Sequence, residues 1–140
     1  MAKFVMKDAY LLIGGTAFSD HVSSIIMEDK AVEVDFTSFS PNSYVQIGQG
    51  LKDATITCTF FSDFAASSVH ATLQPLYQNG STFSVEVRPT SGARSATNPA
   101  ALMTASMYTY SGISGKVGDA ATFDVPFRNA GTQGLTWATV

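Results

Sequence analysis

The chain has 140 residues, enough for one domain that buries its own core without disulfides or metals. Charged residues make up 14%, the net charge is −3, and the eight Lys and Arg residues are scattered. That excludes the basic patch of a conventional nucleic-acid binder, and the low charge marks outer faces suited to burial against a partner.

Residues 3–13 (KFVMKDAYLLI) read as a first strand that turns at Gly14-Gly15. Asp8 interrupts the apolar run there, so the N-terminus does not read as a signal peptide. No stretch approaches a transmembrane helix in length. After turn chemistry at Ser19-Asp20, residues 21–28 and 31–37 read as two strands joined at Asp29-Lys30. In the second, Val32, Val34 and Phe36 face one way and Glu33 and Asp35 the other. Residues 38–50 break the pattern with one Pro and two Gly, yet carry Tyr44, Val45 and Ile47. A loop with an apolar middle is expected to dock on something else.

Residues 50–91 hold the clearest pattern. Ala54, Ile56, Cys58 and Phe60 alternate with Thr55, Thr57 and Thr59, so one strand face is buried and the other hydroxylated. Ser62 and Asp63 offer N-cap oxygens. Val69, Leu73, Leu76 and Tyr77 follow at helical spacing, and Asn79-Gly80 closes the helix. Pro75 inside this pattern predicts a kink or a new turn. Phe83, Val85 and Val87 alternate again up to Arg88-Pro89. The stretch 90–100 (TSGARSATNPA) reads as a mobile or partner-ordered loop. Strands are predicted at 101–110 and 121–128, the latter marked as an edge or bulge by Pro126. Seven or eight strands with one helix predict a mainly β fold, a β-sandwich or open barrel with the helix covering one open side.

Catalytic chemistry is missing from the pattern. His21 and His70 stand apart without metal-ligand spacing, and the one cysteine, Cys58, sits on an apolar strand face. There is no nucleophile elbow and no phosphate loop. Glu33 and Asp35 share a face, but nothing nearby would raise one pKa selectively. Neither an enzyme activity nor a cofactor is read.

Two phrases carry a family likeness: GLKDATITCTFFSDF with its following helix, and VEVRPTSGARSATNP. Together with the order of the strands, they make the chain resemble the major tail proteins of long-tailed, non-contractile bacteriophages, over nearly its whole length. The resemblance implies one tail-tube domain over residues 1–140, with a fold shared with the tube protein of type VI secretion. It implies hexameric rings stacked into a hollow virion tail, made in the host cytoplasm. The tube would hold a tape-measure protein, meet tail terminator and tail tip proteins, and pass double-stranded DNA without binding it or inserting into a membrane. A loop that reaches the next ring maps to residues 38–50, with Tyr44, Val45 and Ile47 as anchors. If each of six subunits gave four strands to an inner barrel, its backbone diameter would be roughly 45–50 Å. Alternation places Glu33 and Asp35 away from the core. They are expected to face the bore, with Glu86 and Asp124 on other strands, where carboxylates repel phosphates. Two alternatives stay open: a tail terminator or head–tail joining ring, and a small soluble ligand-binding β-barrel with Phe60, Phe83, Phe123 and Phe127 around its cavity.

Overall fold

The computed structural model describes residues 3–39 and 44–140. Among them are eight strands and one α-helix. β1 (Tyr10–Ile13) and β2 (Thr16–Ala17) form a hairpin. Its two turn residues, Gly14 and Gly15, have φ of 56° and 87°, which glycine adopts without strain. A 3-10 turn (Ser19–His21) leads into two long strands, β3 (Val22–Asp35) and β4 (Ile47–Phe61). Helix α1 (Val69–Asn79) follows. The remaining strands are β5 (Phe83–Arg88), β6 (Ala100–Met107), β7 (Thr122–Asn129) and β8 (Thr136–Ala138).

All pairings are antiparallel, in the order β2-β1-β5-β6-β7-β4-β3. β8 pairs with the first residues of β6, while β7 pairs with its last. The sheet curls, so that Phe18 beyond β2 meets Phe60 of β4 edge-on at 6.2 Å between ring centres. Inside the curl lies one core: Leu11 and Ile13, alternate residues of β4 to β7, and Val69 and Leu73 from α1. Leu76 packs against its margin. This is the mainly β open barrel with one covering helix that the pattern predicts. Phe60 stacks on Phe123 at 5.8 Å, and Phe83 meets Phe127 edge-on at 5.6 Å. These four rings fill the core, each with at most 7% of its surface exposed, so the ligand-binding alternative loses its cavity lining. Cys58 is fully buried among them, and burial pushes its thiol up to about 12.

The structure corrects several expected boundaries. The first strand begins at Tyr10, and residues 3–9 lie outside any strand, with Phe4, Val5 and Met6 exposed. No turn forms at Asp29-Lys30. β3 runs through it, with Asp29 opposite Ala54 and Lys30 opposite Asp53. A tight hairpin needs residues that accept positive φ, and this pair supplies neither Gly nor Asn. The expected strand break is instead a register shift between Ala31 and Glu33. Residues 47–50, read as loop, belong to β4. Residues 40–43 of that expected loop lie outside the described residues.

Helix α1 starts at Val69, not after Ser62 and Asp63. The Asp63 carboxylate accepts the Ala65 N–H at 2.9 Å and the Ser68 hydroxyl at 2.6 Å, so it ties its own loop instead of capping a helix. The helix passes through Pro75 as one element and closes at Gly80, with φ of 63°. Residues 90–98 are ordered by their own Asn98. Its amide donates to the Gly92 carbonyl at 2.9 Å, and its side-chain oxygen accepts the Thr90 N–H at 3.0 Å.

Candidate assembly surface

β7 pairs with β4 only from Thr55 to Phe61. Residues 47–54 of β4 therefore have β3 alone as a partner. At about 3.3 Å per residue, this two-stranded ribbon extends roughly 25 Å beyond the sheet. Isolated ribbons are marginal in water, and this one is apolar where it should be polar. Val32, Phe36, Phe39, Tyr44, Val45, Ile47 and Leu51 are all exposed, Tyr44 and Leu51 by more than 80%.

The glycines explain the ribbon's shape. A Cβ on Gly48 would lie 2.5 Å from the Phe36 ring, and one on Gly50 2.7 Å from a Val34 methyl. Both glycines let an apolar side chain lie flat across the ribbon. Across the register shift, that surface continues the side of β3 that carries Ile26 and Glu28, which pair with Thr57 and Thr55. Near the tip, the Phe36 N–H donates to the Gln46 carbonyl at 2.8 Å, and the Gln46 N–H to the Thr37 hydroxyl at 2.9 Å. Beyond the ribbon, β3 is the last strand of the sheet, so among the described residues its outer edge has no neighbouring strand over 14 residues. Such an edge is a template for pairing with another chain.

Tyr44, Val45 and Ile47 all lie on this ribbon or its tip, and Ile47 is paired with Asp35. The loop anchors and two of the acidic residues thus occupy one element, although the sequence treats them as separate sites. The sequence pattern reads Phe36 only as one face of a strand, and assigns neither Leu51 nor the two glycines to this surface. The signal was available as a glycine at every second position of a strand that also alternates.

Pairing places Glu33 opposite Gln49 and Asp35 opposite Ile47. The register shift puts its extra residue in β4, so along β3 both share the side of Ile25 and Met27, which pair with Cys58 and Ile56, in contrast to the non-core side expected from the sequence. Asp124 lies on the non-core side, beside Thr59, and accepts the Thr59 hydroxyl at 2.6 Å. Glu33, Asp35 and Asp124 are exposed. The Thr37 hydroxyl and then its N–H, at 2.8 Å, hold the Asp35 carboxyl below its usual range. Glu86 differs. It also points away from the core of β5 but is 7% exposed, closed in by Arg94 and Arg88. Arg94 Nε donates to its Oε1 at 2.9 Å and is the main reason its carboxyl titrates low. Arg88 Nε is 3.1 Å from the same oxygen without the alignment of a hydrogen bond, and its guanidinium covers the Tyr10 ring. Glu86 is a neutralised structural carboxylate, in contrast to the free acidic group expected there.

A second polar cluster ties the 3-10 turn to the loop before α1. His21 Nδ1 is 2.8 Å from Asp20 and Nε2 2.9 Å from Asp63. His70 instead meets the Tyr110 hydroxyl at 2.9 Å and stacks on that ring. Among the described residues, no group of three or more His, Cys, Asp or Glu is placed to hold a metal, and no helix is long and apolar enough to cross a membrane.

No protein-family model and no curated protein matches the chain. Solved structures do. The chain is similar to a chain in the tail of an empty gene transfer agent particle refined with C6 helical symmetry, with a TM-score of 0.68 and 17% identity over 91% of this chain and 95% of that one. A chain in the native gene transfer agent virion gives a TM-score of 0.69 at 16% identity, with the same coverage. The SPP1 tail tube gives a TM-score of 0.75 at 14% identity, over 99% of this chain and 80% of that one. These likenesses establish the fold as that of phage tail-tube proteins.

Proposed function

We propose that this chain is a structural subunit that closes into six-membered rings, which stack into the hollow tube of a virion tail. The observation that carries this reading is the β3–β4 ribbon. It holds apolar residues in water, 25 Å or so from the core, on a protein whose core is already complete. A second copy is the occupant such a surface needs, and the C6 symmetry of the gene transfer agent tail supports six copies per ring. In this reading Tyr44, Val45 and Ile47 seat in the adjacent ring. The exposed carboxylates of Glu33, Asp35 and Asp124 face the bore, where they repel phosphates. The tube holds a tape-measure protein during assembly, contacts terminator and tip proteins at its ends, and lets double-stranded DNA pass. Synthesis takes place in the host cytoplasm.

Negative-stain microscopy of the purified protein, with light scattering, tests the reading. Tubes many rings long are expected. Single rings would reassign the chain to a terminator or joining role, and a monomer at every concentration would overturn self-assembly.

A further inference from the structure

We infer that His21 is a proton-operated staple that fastens the loop before α1 to the root of β3. Both ring nitrogens lie within hydrogen-bond distance of a carboxylate, Nδ1 at 2.8 Å from Asp20 Oδ1 and Nε2 at 2.9 Å from Asp63 Oδ2. A carboxylate only accepts, so both nitrogens must donate, and only the imidazolium does that. A neutral ring turns a lone pair toward one of the two anions at under 3 Å.

Asp63 is the hub of the loop. Besides His21 it accepts the Ser68 hydroxyl and the Ala65 N–H through its carboxylate, and the His70 N–H through its main-chain carbonyl. Between these bonds sits Ser67, with φ of 61°, a left-handed conformation that costs a non-glycine residue energy and persists only where neighbours hold it. The segment 62–68 is therefore strained, tied at both ends to Asp63, and fastened to the β3 side by one titratable ring.

The charged groups around the ring come from three directions. Asp20 is on its own turn and Asp63 on the β4–α1 loop. Lys7 and Asp8 of the N-terminal segment border the groove beside Asp20. From α1, His70 is engaged with Tyr110. Asp20 first, and then Asp63, raise the His21 pKa above its ordinary value, against some opposition from burial. Asp63 is held low, mainly by the Ser68 hydroxyl. The sign follows. The staple contributes fully below about pH 6.5, the unfolded histidine value, and is lost as pH rises through the higher folded value. At the acid end it lasts until Asp63 protonates, below the ordinary carboxylate range. Opening it frees a loop that presents Phe64, which is exposed.

Hydrogen exchange on the full-length protein tests the staple. Exchange of residues 62–70 is compared at pH 5.5 and 8.5 after correction for intrinsic rates. Protection is expected to fall on the order of tenfold at the higher pH in the wild type. It should stay constant in His21→Gln, while β6 stays protected in both. Equal corrected protection at the two pH values, or the same pH dependence in His21→Gln, would overturn the inference. Should that variant fail to fold, the His21 ring resonance of the wild type decides: a midpoint above 6.5 that drops in Asp63→Asn supports the staple, and one at or below 6.5 removes it.

Discussion

Glu86 shows how much a single residue depends on its neighbours. In sequence it is one carboxylate on an alternating strand. In the fold it is almost fully buried between Arg94 and Arg88. Removing one partner of a buried ionic cluster leaves the others desolvated and uncompensated. Glu86→Gln is therefore expected to destabilise the unassembled protein by roughly 3 kcal/mol in chemical denaturation. A change within a few tenths of a kcal/mol would mean that the carboxylate is hydrated after all. Because Arg94 holds the Glu86 pKa low, this stabilisation is present above the ordinary glutamate range and fades as pH falls through the lowered value. The sign is opposite to that of His21.

Two elements carry contrasting apolar stripes. In α1, Val69 and Leu73 are fully buried against the sheet. Leu73→Ala should leave a cavity and cost about 2–5 kcal/mol, lowering the melting temperature of unassembled protein. An unchanged melting temperature would show that the stripe is not core. The β3–β4 ribbon has the same kind of side chains without a cover. Replacing both Tyr44 and Ile47 with Ser should leave circular dichroism and monomer stability intact, since neither residue touches the core cluster. It should block growth beyond a single ring. Normal-length tubes from this variant would sink the role given to the ribbon. Helical spacing marks the first stripe as core, and an apolar middle in a Pro/Gly-bounded segment marks the second as a docking surface. Periodicity does not show that the second is built on a long two-stranded ribbon, because that depends on what lies opposite.

At the scale of the whole molecule, the sheet has two sides with different chemistry. One is the phenylalanine-rich core; the other carries the hydroxyls of Thr55, Thr57 and Thr59 and the exposed carboxylate of Asp124, while Glu33 and Asp35 lie out on the ribbon. If the ribbon carboxylates face the bore, Glu33 is the better probe, because the Asp35 carboxylate also holds the ribbon tip through Thr37. A tube structure of Glu33→Lys should show the lysine projecting inward. Virions carrying it should release DNA more slowly, with the defect easing as salt screens the new charge. An outward lysine would place Glu33 on the tube exterior.

What the sequence determined by itself was local. The period of two in β4, β5 and β7, the helical spacing of Val69 and Leu73, and the glycine turns at 14–15 and 80 are short-range patterns, and the structure follows each of them. The family likeness likewise pointed to the fold that the solved tails share. Long-range partners decided the rest. β3 passes straight through Asp29-Lys30 because β4 is long enough to pair with it on both sides. Asp63 serves a loop and a histidine 42 residues away instead of capping a helix. Asn98 orders a stretch whose composition reads as mobile. The β3–β4 pairing and the His21–Asp63 contact join groups that no local window contains, while Asn98 acts within its own loop through bonds that composition does not reveal. A polar side chain takes whichever partner the fold brings within 3 Å.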